Sequence, residues 1–190
     1  MTSLGWSFFF TFIFLMTYIG CSAIIGVKKM EVNDMHKLVE TKEDIKRIAK
    51  MAKGIWQEAY QALLTKDQID YMLDKFLSVK AIKAQMNEGY QYYLLKDDII
   101  SGFASIKDMG DYLFLSKLYV YEKSRSKGLG KSFITYLIGL GKPIELTVNK
   151  KNHRALAFYE KEGFKVIKSV VSDIGNGYVM DDYVLRYIHE

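Results

Sequence analysis

The pattern of apolar and polar positions changes character three times along the chain. From Leu4 to Val27 it is unbroken, LGWSFFFTFIFLMTYIGCSAIIGV, 24 residues without one charged side chain. As a helix such a run would be about 36 Å long, enough to cross a hydrocarbon core of roughly 30 Å with some tilt. Lys28 and Lys29 close it, and basic residues at that end leave the following chain in the cytoplasm. A cleaved signal fits less well, because no basic segment precedes the run and the run is long. Tyr18-Ile19-Gly20-Cys21 is a poor match to a lipoprotein cleavage site. An over-extended reading frame, with Met30 as the true start, explains the same pattern. Both readings stay open, and either makes 1–29 an apolar N-terminal segment and 30–190 the working domain.

After Met30 the spacing becomes that of short amphipathic elements. His36 to Val39 reads as a first strand. Thr41-Lys-Glu-Asp44 is a helix start, followed by Ile45, Ile48, Ala49, Ala52, Ile55, Trp56, Ala59 and Leu63 at helical spacing, with Gly54 as a point where that helix could break or bend. Thr65-Lys-Asp-Gln68 opens a second helix with Ile69, Met72, Leu73 and Phe76 on one face. The pattern then switches to strands at 90–95, 99–106 and 112–121, separated by Lys-Asp-Asp and Asp-Met-Gly-Asp, which are turn compositions. Three strands with such short links form an antiparallel meander. A glycine-bearing loop, an apolar helix to about residue 140 and a strand at 144–148 follow. Asn152 opens a helix to Glu162, and strands at 164–171 and 178–187 end the body. The fold class is therefore α/β, a single domain with a mixed, mostly antiparallel sheet flanked by helices, too antiparallel for a doubly wound sheet.

Composition narrows the chemistry. Of 190 residues 49% are hydrophobic and 26% charged, which fits a folded domain and not a disordered one. A single cysteine excludes a disulfide framework, and His36, His153 and His189 show no ligand spacing, so no metal site is expected. The net charge is +5, but residues 30–190 hold 25 basic against 22 acidic groups. An anionic partner must therefore meet a local patch, and charge alone does not choose among nucleic acid, a membrane and a phosphorylated cofactor.

That patch is Arg125-Ser126-Lys127-Gly128-Leu129-Gly130-Lys131, between the end of a strand and the start of a helix. Such a junction offers unpaired backbone N–H groups and the positive end of a helix dipole, and glycine lets the backbone approach an anion closely. A Walker loop would need glycine where Arg125 stands, and the next strand lacks the Asp that would help hold Mg²⁺. A dinucleotide fingerprint would need a third glycine, and an acid where Lys150 stands. An ordinary strand–helix turn is the plain alternative. The pattern Arg-x-x-Gly-x-Gly after Leu118-Tyr119-Val120, joined by Val148…Asn152-x-x-Ala155-x-x-Phe158-Tyr159-x-x-x-Gly163-Phe164, resembles the GCN5-related N-acetyltransferase superfamily. The resemblance spans residues 36–190. Within it, 173–183 is most similar in look to bacterial polyamine and small-amine acetyltransferases.

The resemblance implies a cytoplasmic acyltransferase that moves an acetyl group from acetyl-CoA to a primary amine by direct attack in a ternary complex. It implies that the backbone of Leu118, Tyr119 and Val120 pairs with the pantetheine arm. The amides of Arg125, Ser126, Lys127, Gly128, Leu129, Gly130 and Lys131 would take the pyrophosphate, and Asn152 would contact the cofactor, although Asn also suits a plain N-cap. Lys161 could reach a cofactor phosphate or be a solvated helix lysine. Tyr159 would face the sulfur and stabilise the leaving thiolate, its alternative being a core aromatic. Many members carry Glu where this chain has Ser116, which leaves the base unidentified. Asp181, Asp182 and Glu88 are candidates by elimination only, the two aspartates reading more simply as polar residues of a closing strand. The expected acceptor is a small molecule rather than a protein, no nucleic-acid partner is implied, and a homodimer and a membrane contact through 4–27 are left open. A non-catalytic acetyl-CoA-binding module, tethered to the membrane, is the alternative to an enzyme.

Overall fold

The computed structural model describes residues 35–189, and the apolar segment with its anchor reading lies outside them. Strand β1 (His36–Leu38) leads into helix α1 (Lys42–Tyr60), where the Thr41 hydroxyl accepts from the Asp44 amide and caps the helix at the expected box. Gly54 does not break α1. A Cβ there would meet the ring of Tyr121 at 3.1 Å, so the glycine serves a close approach. Leu63 lies beyond the helix and is exposed. The second helical region is two helices, α2 (Lys66–Leu77) and α3 (Val79–Asn87). Ser78 ends the first in an extended conformation and caps the second by accepting from the Ala81 amide.

Strands β2 (Tyr90–Lys96), β3 (Ile100–Asp108) and β4 (Leu113–Val120) form the antiparallel meander. After a single turn of 3₁₀ helix (Glu122–Ser124) come α4 (Leu129–Ile138), β5 (Ile144–Asn149), α5 (His153–Lys161), β6 (Lys165–Gly175) and β7 (Tyr178–Tyr187). The seven strands lie in the order β1-β2-β3-β4-β5-β7-β6, every pair antiparallel save β4 with β5. The fold class read from the sequence is the observed one. The chief difference is β6, which runs four residues further than expected, as far as Gly175.

Each face of the sheet carries its own core. One gathers Ile48, Ile55, Trp56, Ile82, Leu94 and Phe103 under α1–α3. The other gathers Phe133, Leu137, Leu146, Tyr159 and Leu185 under α4 and α5. Burial of aliphatic and aromatic side chains on both faces, at roughly 1.5–3 kcal/mol each, is what holds two layers of helix on one sheet. Among the described residues no helix is long and apolar enough to cross a membrane, and no group of three or more His, Cys, Asp or Glu could hold a metal ion.

Candidate active site

The sheet opens at its centre. β4 and β5 pair in parallel only at Leu113–Ile144, Phe114–Glu145 and Leu115–Leu146. Beyond Leu115 the strands part, and Leu118, Tyr119 and Val120 keep β3 as a partner on one edge only, through Ala104, Phe103 and Gly102. The strand is irregular at the very next residue. Register slips between Ser105–Lys117 and Ile106–Leu115, so Ser116 is an extra residue on β4, a bulge that bends and twists the strand. A strand edge left open in this way can accept an extended, amide-bearing chain as one more strand.

The loop after β4 stands at the mouth of that seam. Ser126 has φ 65° and Gly128 φ 85°, two left-handed turns that swing the chain into α4. No side chain caps α4, and the first N–H groups of a helix, here those of Gly128, Leu129, Gly130 and Lys131, have no partner within it. A Cβ on Gly128 would meet nothing within 4 Å, so the backbone is open on that side. One on Gly130 would come within 3.3 Å of the Phe158 ring, so this glycine lets α4 pack on α5. The basic side chains are mostly engaged in holding the loop. Arg125 Nε donates to the Val120 carbonyl at 3.1 Å and its guanidinium lies 3.7 Å from Glu122. Lys127 pairs with Asp97 at 3.2 Å, while Lys131 is exposed.

The floor of the seam is aromatic. Tyr159 on α5 is buried between Phe158 and Phe164, with ring centroids at 5.1 and 5.4 Å, in the α4–α5 core. Tyr60, the last residue of α1, and Tyr119 on β4 belong to the opposite core, yet ionisation of Tyr159 is opposed by Tyr60, and that of Tyr119 by Tyr159. Burial pushes all three phenols up, so at neutral pH each is a protonated donor. Hydrogen bonds to Tyr119 and Asn152 pull Tyr60 part of the way back. Asn152 is thus an N-cap and more: its carbonyl oxygen accepts from the Ala155 amide at 3.1 Å while its side chain also reaches Tyr60. Lys161 is exposed. Sequence reasoning missed Tyr60, because it is one aromatic among many at the end of a helix and gains its neighbours only from the fold.

The three candidate carboxylates separate. Glu88 is exposed at the C-terminal end of α3. Asp181 is exposed and pairs with Lys150 at 2.6 Å. Asp182 is half-buried, sits opposite Asn149 in the β5–β7 register and accepts from Asn149 Nδ2 at 3.3 Å. Tyr60 feels its charge. The β6–β7 hairpin closes this side of the seam by crossing to α2, where the Tyr71 hydroxyl donates to the Ile174 carbonyl at 2.6 Å and the Tyr71 and Tyr178 rings stand 5.4 Å apart.

Both the sequence and the fold have counterparts among known proteins. The chain is 23% identical over 161 residues to a spermidine N(1)-acetyltransferase of Thermoplasma acidophilum, covering 78% of this chain and 93% of that one. It is 34% identical over 65 residues to the peptidyl-lysine N-acetyltransferase YjaB of Salmonella typhimurium, a match that covers 34% of this chain and spans less than half (45%) of that relative. The fold superimposes on the crystal structure of the PaiA N-acetyltransferase of Thermoplasma acidophilum in complex with coenzyme A, with a TM-score of 0.64 and 19% identity over 81% of this chain and 99% of that one. The family model described as acetyltransferase (GNAT) domain matches residues 60–180. That match begins at Tyr60 and runs into β7, taking in the bulged strand, the open seam, the loop before α4 and the tyrosine-bearing α5: the chain belongs to the acetyltransferase (GNAT) domain family.

Proposed function

We propose that the protein transfers the acetyl group of acetyl-CoA to a primary amine by direct attack in a ternary complex at the β4–β5 seam. The acyltransferase class and acetyl-CoA as co-substrate follow from the family; the acceptor and the route are what the proposal adds. The observation that carries it is the open edge of β4 leading from the uncapped N-terminus of α4 to Tyr159. On this reading the pantetheine amides pair with Leu118, Tyr119 and Val120. Its pyrophosphate lies on the amides of residues 125–131, and Asn152 turns toward the same channel. The thioester then comes to rest between Tyr159 and Tyr60.

The amine must lose its proton before it attacks. With an ordinary pKa near 10.4, deprotonation at pH 7 costs about 4–5 kcal/mol, so a base contributes directly to rate. Attack forms the C–N bond and breaks the C–S bond. The thiolate is then met by a phenol that burial keeps protonated, and Tyr159 stabilises it as a hydrogen-bond donor. The expected result for purified protein is release of CoA thiol in the presence of an amine. Tyr159→Phe should bind acetyl-CoA as the parent does but turn over about 10²-fold or more slowly. A Tyr159→Phe variant with unchanged turnover would remove Tyr159 from the mechanism. Binding of acetyl-CoA without thiol release across a broad amine panel would favour the non-catalytic module.

Two further parts of the proposal concern surroundings. The uncharged run 4–27 followed by Lys28 and Lys29 supports a membrane-anchored chain with this domain in the cytoplasm. The outer edge of β6, with Val166, Ile167 and Val171 exposed at the end of the sheet, supports a homodimer.

A further inference from the structure

Ser116 stands on β4 where many family members carry a glutamate, so the base must come from another element. Resting on the transferase reading above, we propose that Asp182 is the carboxylate that receives the acceptor's ammonium group and takes its proton. The alternation of β7 places it on the correct face. Tyr183, Leu185 and Tyr187 pack into the core under α4 and α5, whereas Met180 packs against the opposite core with Tyr60 and Tyr119. Asp182 shares the face of Met180, and Tyr60 is near enough to feel its charge.

Its register places it at the correct height. Asn149, its partner on β5, lies three residues beyond Leu146, the last residue that β5 pairs with β4. Asp182 therefore stands across one strand from the opened seam. Asn149 Nδ2 donates to Oδ1 and fixes the carboxyl group, leaving Oδ2 for an incoming cation. Asp181, one residue away on the other face, is already paired with Lys150, and Glu88 is exposed on a different element.

The surroundings suit a base. Burial raises the Asp182 carboxyl above the usual range, and the neighbouring Asp181 adds to this. The hydrogen bond from Asn149 and the charge of Lys150 act the other way and do not cancel it. Tyr60 faces it from α1, and Val170, its register neighbour on β6, carries no charge. A carboxylate raised in this way holds a proton better than an ordinary one, and a partly desolvated one gains most from a cationic partner. The step balances. R–NH₃⁺ gives one proton to Asp182 and becomes R–NH₂, which attacks the thioester carbonyl. The second nitrogen proton leaves with the departing sulfur by way of Tyr159, and Asp182 returns its proton to water.

The test uses the full chain with acetyl-CoA and two probe amines, 2-phenylethylamine and spermidine, with thiol release read from pH 6.5 to 10. Asp182→Asn keeps an oxygen for Asn149 and should lower kcat/KM for the amine about 100-fold at pH 7, while calorimetry finds acetyl-CoA affinity unchanged. The loss should shrink toward pH 10, where the amine deprotonates without help, and Asp182→Glu should recover part of the rate. Asp111→Asn, in the exposed β3–β4 turn, should leave rates as they are. Asp182→Asn turning over like the parent at pH 7, or slowed equally at every pH, overturns the proposal and leaves the transferase reading standing. A parent protein that binds acetyl-CoA but acetylates neither amine nor any of a wider panel overturns both.

Discussion

Lys117 offers a direct test of how this fold handles charge. It lies next to the Ser116 bulge on β4, its ammonium largely buried against α3 and β2. It donates to Gln85 Oε1 at 2.7 Å and to the Ser116 hydroxyl at 3.0 Å, and sits over the rings of Tyr90 and Tyr92 at 5.6 and 5.4 Å. No carboxylate stands among these partners, and burial pulls the amine down from 10.5 to about 8. At about 1.4 kcal/mol for each tenfold in the ionisation constant, the charged form costs the fold about 3 kcal/mol more than the neutral form. Because the folded value lies below the unfolded one, the penalty is complete below pH 8 and is relieved as pH rises from about 8 toward 10.5. Between pH 7 and 9.5 that relief is about 2 kcal/mol. Lys117→Met keeps the stem and removes the charge, and Gln85 Oε1 still accepts from the Tyr92 hydroxyl at 2.7 Å, so no acceptor is stranded. The variant should be the more stable protein at pH 7. Its advantage over the parent should fall by about 2 kcal/mol when both are unfolded in urea at pH 9.5. Taking the difference between the two proteins cancels the other lysines and tyrosines that titrate there. A difference that stays constant within about 0.5 kcal/mol between the two pH values would show that Lys117 is solvated and the reasoning wrong.

Two glycines carry the remaining predictions, one for each half of the site. A Cβ on Gly102 would lie 2.5 Å from the Tyr119 carbonyl oxygen and 3.2 Å from the Val120 Cα, both backbone atoms. Gly102→Ala must therefore push β3 off β4, and thermal unfolding should show a loss of about 3 kcal/mol or more, whereas a loss below about 1 would mean that the strands part easily. Gly128→Ala meets no atom within 4 Å, so its cost is conformational, about 1–2 kcal/mol for holding alanine at φ 85°. Relief of that strain turns the amides of the loop, so calorimetry should find acetyl-CoA bound at least tenfold more weakly; unchanged affinity would take these amides out of the phosphate cradle.

What could be read from the sequence was what is local. Thr41 and Thr65 each place a hydroxyl three residues before an amide that needs one, and both helices start there. Asn152 does the same for α5. The break at Ser78 was missed because the apolar spacing continues through Phe76 and Leu77, although a serine ahead of Val79 is itself a capping signal. Gly54 misled for the opposite reason. In isolation it weakens a helix, but here it admits the Tyr121 ring, and the packing outweighs the propensity. The antiparallel meander followed from its short linkers, while the bulge at Ser116 followed from nothing local. It exists because β3 and β4 differ by one residue between their paired segments. Tyr60 reaches Tyr119 and Asn152 by way of that bulge and the seam it opens, so no spacing rule could have named it.

The basic loop illustrates how a motif can point to the right place by a different physical route. Counted along the chain, Lys123, Arg125, Lys127 and Lys131 suggest a cation patch for phosphates. In the fold Arg125 is occupied with the Val120 carbonyl and Glu122, and Lys127 with Asp97. The charges of these two are thus largely answered before any ligand arrives, and they act by fixing the loop in its two left-handed turns. What remains for an anion is the row of amides at the start of α4, the dipole behind them and the exposed Lys123 and Lys131. Amides held by a rigid loop lose little strength when salt is added, whereas free side-chain charges are screened within about 10 Å at 0.1 M ionic strength. The proposed pyrophosphate site is therefore built for shape and fixed hydrogen bonds more than for charge. That is consistent with a body that holds only three more basic groups than acidic ones.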